Sequence, residues 1–190
     1  MHHLRSLRRV ENDNWIRTLL DEAENERIHL FCWLDVLRPT WSQKWLIISV
    51  QAVFFTGFLG AYILFPKSCH RFVGYLEEEA FKTYTHLLEY IDSGKIKDRP
   101  APKLAIDYWN MPEGSTMRDM TVIIREDEAD HARVNHSMAN MITSLRKRDM
   151  VYTDITIDDS VFETVPGTHI VPGGTVEAIS KAAKQNEKKL

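Results

Sequence analysis

The chain has 190 residues, with 24 Lys+Arg against 27 Asp+Glu, a formal net charge of −3 at pH 7 and two cysteines. The near-balance of charge argues against a nucleic-acid binder, which would carry a basic excess, and two cysteines exclude a disulfide scaffold and a Cys-only zinc site. With 44 % hydrophobic and 27 % charged residues, the chain suits one helical or mixed domain with a sizeable core.

In chain order, Met1–Val10 is basic and free of acid. It is too short for a transit peptide and lacks the apolar stretch of a signal peptide; Leu4 and Leu7, at i and i+3, read as the last turns of a helix. Asn12–Asp13–Asn14 reads as a turn and N-cap. From Trp15 to Leu37 the apolar residues Ile16, Leu19, Leu20, Ala23, Leu30, Trp33, Leu34 and Leu37 recur with helical period, and Arg38–Pro39–Thr40 ends that helix. Trp45–Phe65 is 21 residues without a charge, roughly 31 Å as a helix, and Pro66 stops it. Phe72–Ile91 is helical again and closes at Asp92–Ser93–Gly94. Lys95–Lys103 is a Pro-containing linker, Leu104–Trp109 a short helix, and Thr116–Arg148 a long helix with Ser115 as its cap. After Met150 the composition shifts to alternating Thr, Ile, Val and Asp with Pro-Gly turns. The division is a helical domain over 1–150 and an extension over 151–190, partly irregular.

One motif occurs twice. Glu26-Arg-Ile-His29 lies in the first long helix and Glu128-Ala-Asp-His131 in the last. Residues i and i+3 share a helix face, so each motif aims a carboxylate and an imidazole the same way. By composition, roughly 0.6 such matches arise by chance, so either motif alone reads as readily as a solvated face. Two of them on separate helices, joined by lone glutamates from other helices, make the carboxylate-bridged di-iron site of a four-helix bundle. Carboxylates can shift between bridging and terminal binding as iron changes charge, and neutral imidazole adds a nitrogen donor.

The acidic run Glu77-Glu78-Glu79 separates on the helical wheel. Glu77 shares its face with Ala80, Phe81, Tyr84 and Leu88, an apolar stripe in which a carboxylate must be paired or metal-bound. Glu78 shares its face with Lys82, Thr85 and Glu89, which reads as solvent-facing. Glu79 falls beside Thr83 and His86. Tyr84 sits two turns from Glu77, either as a redox-active phenol beside a metal pair or as a core tyrosine with a satisfied hydroxyl.

Asn25-Glu26-Arg27-Ile28-His29-Leu30, Leu76-Glu77-Glu78-Glu79-Ala80 and Arg125-Glu126-Asp127-Glu128-Ala129-Asp130-His131 resemble, in order, three motifs of the alternative oxidase family. His70-Arg71-Phe72-Val73-Gly74-Tyr75 and Asp107-Tyr108-Trp109 are similar to further family segments, and the resemblance covers about residues 1–150. It implies an all-α, ferritin-like di-iron four-helix bundle with a monotopic membrane helix. It also implies a cyanide-resistant, non-proton-pumping ubiquinol oxidase that reduces O2 to water, bound as a homodimer to the matrix face of the mitochondrial inner membrane. By the resemblance, two Fe ions take Glu26, His29, Glu77, Glu128 and His131 as ligands. Tyr84 matches a catalytic tyrosine and Thr83 a residue near the quinol pocket. Asn25, Tyr108, Trp109 and Asp127 match positions around the ligands, where Asp127 could accept an imidazole N–H from a ligand histidine; ordinary buried polar packing is the alternative for those four.

Topology bears on the charge-free run. A full crossing by Trp45–Phe65 would put Glu26 and His29 on one side of a bilayer and Glu77 on the other, with no second comparable run to bring the chain back. Lys44, Lys67 and Arg71 flank the run, as suits a helix lying in one leaflet near headgroups at both ends. A true span and a buried core helix are the alternatives. A sixth ligand, another lone glutamate, is expected on a bundle helix preceding the Glu26 helix, at or upstream of Met1, so the first bundle helix is expected to be largely missing. The competing readings are a catalytically impaired homologue that binds metal or membrane only and a soluble iron-storage or oxygenase bundle. The charge-free run speaks against the latter. Both cysteines are expected to be buried, inert thiols.

Overall fold

The computed structural model describes residues 15–147. The expected helical turns over Met1–Val10, the Asn12–Asn14 cap and the extension over 151–190 lie outside the described residues. Within them the chain is all-α, as expected: α1 Trp15–Leu37, α2 Trp41–Leu64, α3 Pro66–Asp92, α4 Lys103–Tyr108 and α5 Met117–Lys147. The only β feature among the described residues is an isolated antiparallel bridge between Pro100 and Thr116. The described residues fall into two compact units, divided between Cys69 and His70.

In the first unit, α1 ends where Arg38 turns into the left-handed region at φ 46°, a conformation more usual for glycine or asparagine after a helix. Thr40 opens α2 with a capping box: its backbone N–H donates to Gln43 Oε1 at 2.8 Å, and its hydroxyl accepts the Gln43 N–H at 3.5 Å. The helix that carries the charge-free run thus starts four residues before the run itself, at Trp41, and takes in Lys44. No residue of α2 is buried, so the expectation that kept a buried core helix as an alternative does not hold. Its aromatic side chains pair along the helix: Trp41 meets Trp45 edge-on at 6.0 Å, and Phe54 and Phe58 stack at 5.5 Å. In α1, Ile28, His29 and Cys32 are buried.

Pro66 does more than stop α2. It is the first residue of α3, the helix position where a missing N–H costs nothing, so α3 begins more than a turn before the expected Phe72. In the second unit α3 and α5 are antiparallel neighbours. His70 meets Asn135, Arg125 lies over the Phe81 ring at 5.3 Å, and Arg118 pairs with Asp92 at 2.6 Å, so numbers rise along one helix as they fall along the other. Phe81, Leu88 and Ile91 of α3 and Met120, Ile123 and Ile124 of α5 are buried, which places the Glu77 stripe inside as the wheel predicts. The short α4 ends at Trp109, itself buried at 7 % exposure.

Three local expectations are corrected. Thr116, not Ser115, caps α5: its N–H donates to Asp119 Oδ2 at 2.9 Å, while the Ser115 hydroxyl turns back to the Pro112 carbonyl at 2.7 Å. The Thr-x-x-Asp spacing, with an acid at the third helical position, decides between two adjacent hydroxyls. Glu78 is not on a solvent face. Its side chain is 16 % exposed and lies 2.9 Å from His136 Nε2, because α5 covers a wider arc of α3 than the apolar stripe alone defines. Arg71 does not stand out toward headgroups like the exposed Lys44 and Lys67. It binds His136 and Asn140 on α5.

Candidate metal centre

α3 supplies Glu77, and the i, i+3 spacing on α5 supplies Glu128 and His131 on one face. The antiparallel pairing brings ligand atoms of these three side chains within 4.8 Å of one another. Glu128 and His131 are 3 % and 7 % exposed. The buried Arg125 donates to Glu126 Oε1 at 2.6 Å. Carboxylate oxygens with one imidazole nitrogen form a donor set that could hold a metal ion, and one suited to iron.

In the first unit the other motif is also formed as expected. Glu26 Oε1 and His29 Nδ1 face each other at 3.4 Å on α1, with the imidazole buried and the carboxylate partly exposed. Asn25, beside them, is half-buried.

The remaining predicted residues divide. Trp109 donates its indole N–H to Asp127 Oδ2 at 3.2 Å, so two positions singled out around the ligands meet each other, one residue before Glu128. Tyr108 packs edge-on against Trp109 at 5.1 Å but keeps 41 % exposure. Tyr84 is half-buried on the Glu77 face. Thr83 is exposed, and its hydroxyl donates to the Glu79 carbonyl at 2.8 Å. Both cysteines are free and buried, and burial pushes the Cys32 thiol up to about 11.

Sequence reasoning passed over a polar layer next to the ligands. Asn135 donates from Nδ2 to the His131 carbonyl at 3.0 Å, and its Oδ1 receives His70 Nδ1 at 3.0 Å. The next residue, His136, lies between Arg71 and Glu78. In the sequence His70 stands out only as part of a similar segment, and Arg71 there and as a charge flanking the apolar run. The available signal was the Asn135-His136 pair, four and five residues beyond His131 on the same helix.

The family model described as alternative oxidase matches residues 1–140. The chain belongs to the alternative oxidase family. It is 51 % identical over 146 residues to "Alternative oxidase, mitochondrial" of Ajellomyces capsulatus, covering 74 % of this chain and 41 % of that protein. It is 50 % identical over 157 residues to "Ubiquinol oxidase, mitochondrial" of Batrachochytrium dendrobatidis (strain JAM81 / FGSC 10211), covering 81 % and 50 %. It is 53 % identical over 135 residues to "Ubiquinol oxidase 1a, mitochondrial" of Oryza sativa subsp. japonica, covering 70 % and 41 %. The chain thus spans half or less of the length of these relatives. The region matching the alternative oxidase family contains both Glu-x-x-His motifs and the Glu77 segment.

Proposed function

We propose that this chain carries the di-iron site of a ubiquinol oxidase that reduces O2 to water. The observation that supports this most is the convergence of Glu77, Glu128 and His131, two carboxylates and an imidazole from antiparallel helices, within 4.8 Å. In this reading Glu26 and His29 complete the set supplied by this chain, and two Fe ions are held. When bound, the iron pair supplies the redox chemistry linking quinol oxidation to oxygen reduction.

The protein's own residues do the rest. Burial of Glu128 and His131 keeps bulk water from the ligands and fixes their rotamers. Asp127, held by the Trp109 indole, stiffens the turn that carries Glu128. Tyr84 projects a phenol on the Glu77 face, where it would relay an electron and a proton from quinol to O2, regaining from quinol what its hydroxyl gives up. Thr83, on the adjoining face, offers a hydroxyl to a quinol headgroup.

α2 attaches the protein to one leaflet. Trp41–Leu64 has the length and composition of a membrane helix, and none of its residues is buried. The relatives' names place those proteins in mitochondria; we assign this chain to the matrix face of the inner membrane, as a homodimer.

The test is iron content. Chain purified after growth with iron holds up to two Fe per protomer in this reading, and Glu77→Ala/His131→Ala holds far less. Equal iron in both, with helix content preserved, overturns the assignment. Cyanide-insensitive oxygen uptake with a soluble ubiquinol then tests the activity.

A further inference from the structure

Gly74 is buried on α3, and a Cβ placed on it would lie 2.5 Å from Nδ1 and 2.9 Å from Cγ of His136 on α5. Real Cβ atoms do not approach so closely, so the α3 backbone touches the imidazole itself and only glycine admits the contact.

The ring is held at its other edges too. Arg71 has only donors, so Nη1 donates to His136 Nδ1 at 2.9 Å. Nδ1 is therefore the acceptor, and Nε2 carries the hydrogen, which it donates to Glu78 Oε1 at 2.9 Å. Tyr75 meets the ring edge-on with centroids 5.0 Å apart. Arg71 also donates to Asn140 one turn further along α5. Residues 71, 74, 75 and 78 lie on one face of α3 at helical spacing, and all four converge on one side chain that is 5 % exposed.

Such an arrangement fixes both spacing and register. A slide of α5 by one residue moves it about 1.5 Å, which would separate His136 from both hydrogen-bond partners and drive its ring into the α3 backbone. Metal–ligand distances tolerate only about ±0.2 Å. Glu78 adjoins Glu77, and His136 lies five residues beyond His131 on the same helix. We infer that His136, seated on Gly74 between Arg71 and Glu78, is a positioning residue that sets the register of α3 against α5 and so the separation of Glu77 from Glu128 and His131. This rests on the reading of those three as metal ligands.

The test uses the whole chain and Co(II) alone as the probe, reading the dissociation constant and the visible d–d spectrum, with far-ultraviolet circular dichroism to confirm helix content. Gly74→Ala should weaken Co(II) binding about tenfold to a hundredfold and change the spectrum. In a His136→Ala background, where the ring is gone, the same Gly74→Ala change should cost little more. Glu78→Gln, which keeps an oxygen to accept the Nε2 hydrogen, should stay close to the parent, whereas Glu78→Leu should behave like His136→Ala. Parental affinity and spectrum in Gly74→Ala would overturn the positioning role, as would an equal loss from Gly74→Ala in both backgrounds. A parent chain that takes up no Co(II) would overturn the metal-centre reading and the positioning role together.

Discussion

Trp109 Nε1 lies 3.2 Å from Asp127 Oδ2, so the end of the short helix α4 is tied to α5 one residue before Glu128. The hydrogen bond has a charged acceptor and a half-buried setting, where loss costs about 1.5–3 kcal/mol. Trp109→Phe removes the donor while keeping an aromatic ring. It should lower stability by about that amount in chemical denaturation, with Asp127→Asn, which keeps an acceptor oxygen, costing less. A Trp109→Phe chain as stable as its parent would mean that the contact is incidental.

His70 is buried, and burial holds its pKa below the ordinary 6.5, partly offset by its bond to Asn135. The folded state therefore disfavours the proton that the unfolded chain accepts. Stability from this site is present above about pH 6.5 and is lost as pH falls through the depressed folded value. His70→Gln retains an N–H for Asn135 Oδ1 and does not titrate. The slope of stability against pH below 6.5 should be shallower in His70→Gln by up to about 1.4 kcal/mol per pH unit. Identical acid limbs would remove His70 as the cause.

Trp41–Leu64 should hold the chain on lipid vesicles. Val53 and Phe55 are 76 % and 66 % exposed, and placing lysine at both adds about 2–3 kcal/mol per charge against an apolar medium. Val53→Lys/Phe55→Lys should release the chain in flotation assays. Lys44, in the first turn of the helix, and Lys67, just beyond its end, are exposed, so trypsin added outside sealed vesicles should cut at both ends. Cleavage at one end only would indicate a full crossing.

Tyr84→Phe keeps the ring and removes only the hydroxyl, at a structural cost of about 1–3 kcal/mol at most. It should abolish cyanide-insensitive quinol oxidation while iron content is unchanged, and Thr83→Val should mainly raise the KM for quinol. Near-normal oxygen uptake by Tyr84→Phe would make Tyr84 a packing residue.

Cys32 is fully buried, and its thiol is pushed up to about 11 by burial. The thiolate is the reactive species, so native chain at pH 8 should resist alkylation at Cys32 and react only after unfolding. Because the ordinary value is 9.0, folding stability should fall as pH rises from about 9 toward 11, and Cys32→Ala should lack that fall. Rapid labelling of native chain would show that α1 opens readily at this point.

Local rules were enough for most of the elements. Periodicity gave Trp15–Leu37 without adjustment, proline and glycine marked the ends of α2 and α3, and the repeated i, i+3 pairs with the inward Glu77 pointed to the candidate ligands, because helical spacing and the exclusion of charge from apolar faces act within one segment. What depended on the partner helix was not legible. Glu78 reads as solvent-facing until α5 covers it, Arg71 reads as a headgroup contact until His136 and Asn140 receive it, and Gly74 carries no signal until an imidazole occupies the space beside it. Sequence by itself determined which helices form and which residue types could hold metal. Only the tertiary structure decided the register of α3 against α5, because register is set by contacts between residues some sixty positions apart that no local period encodes.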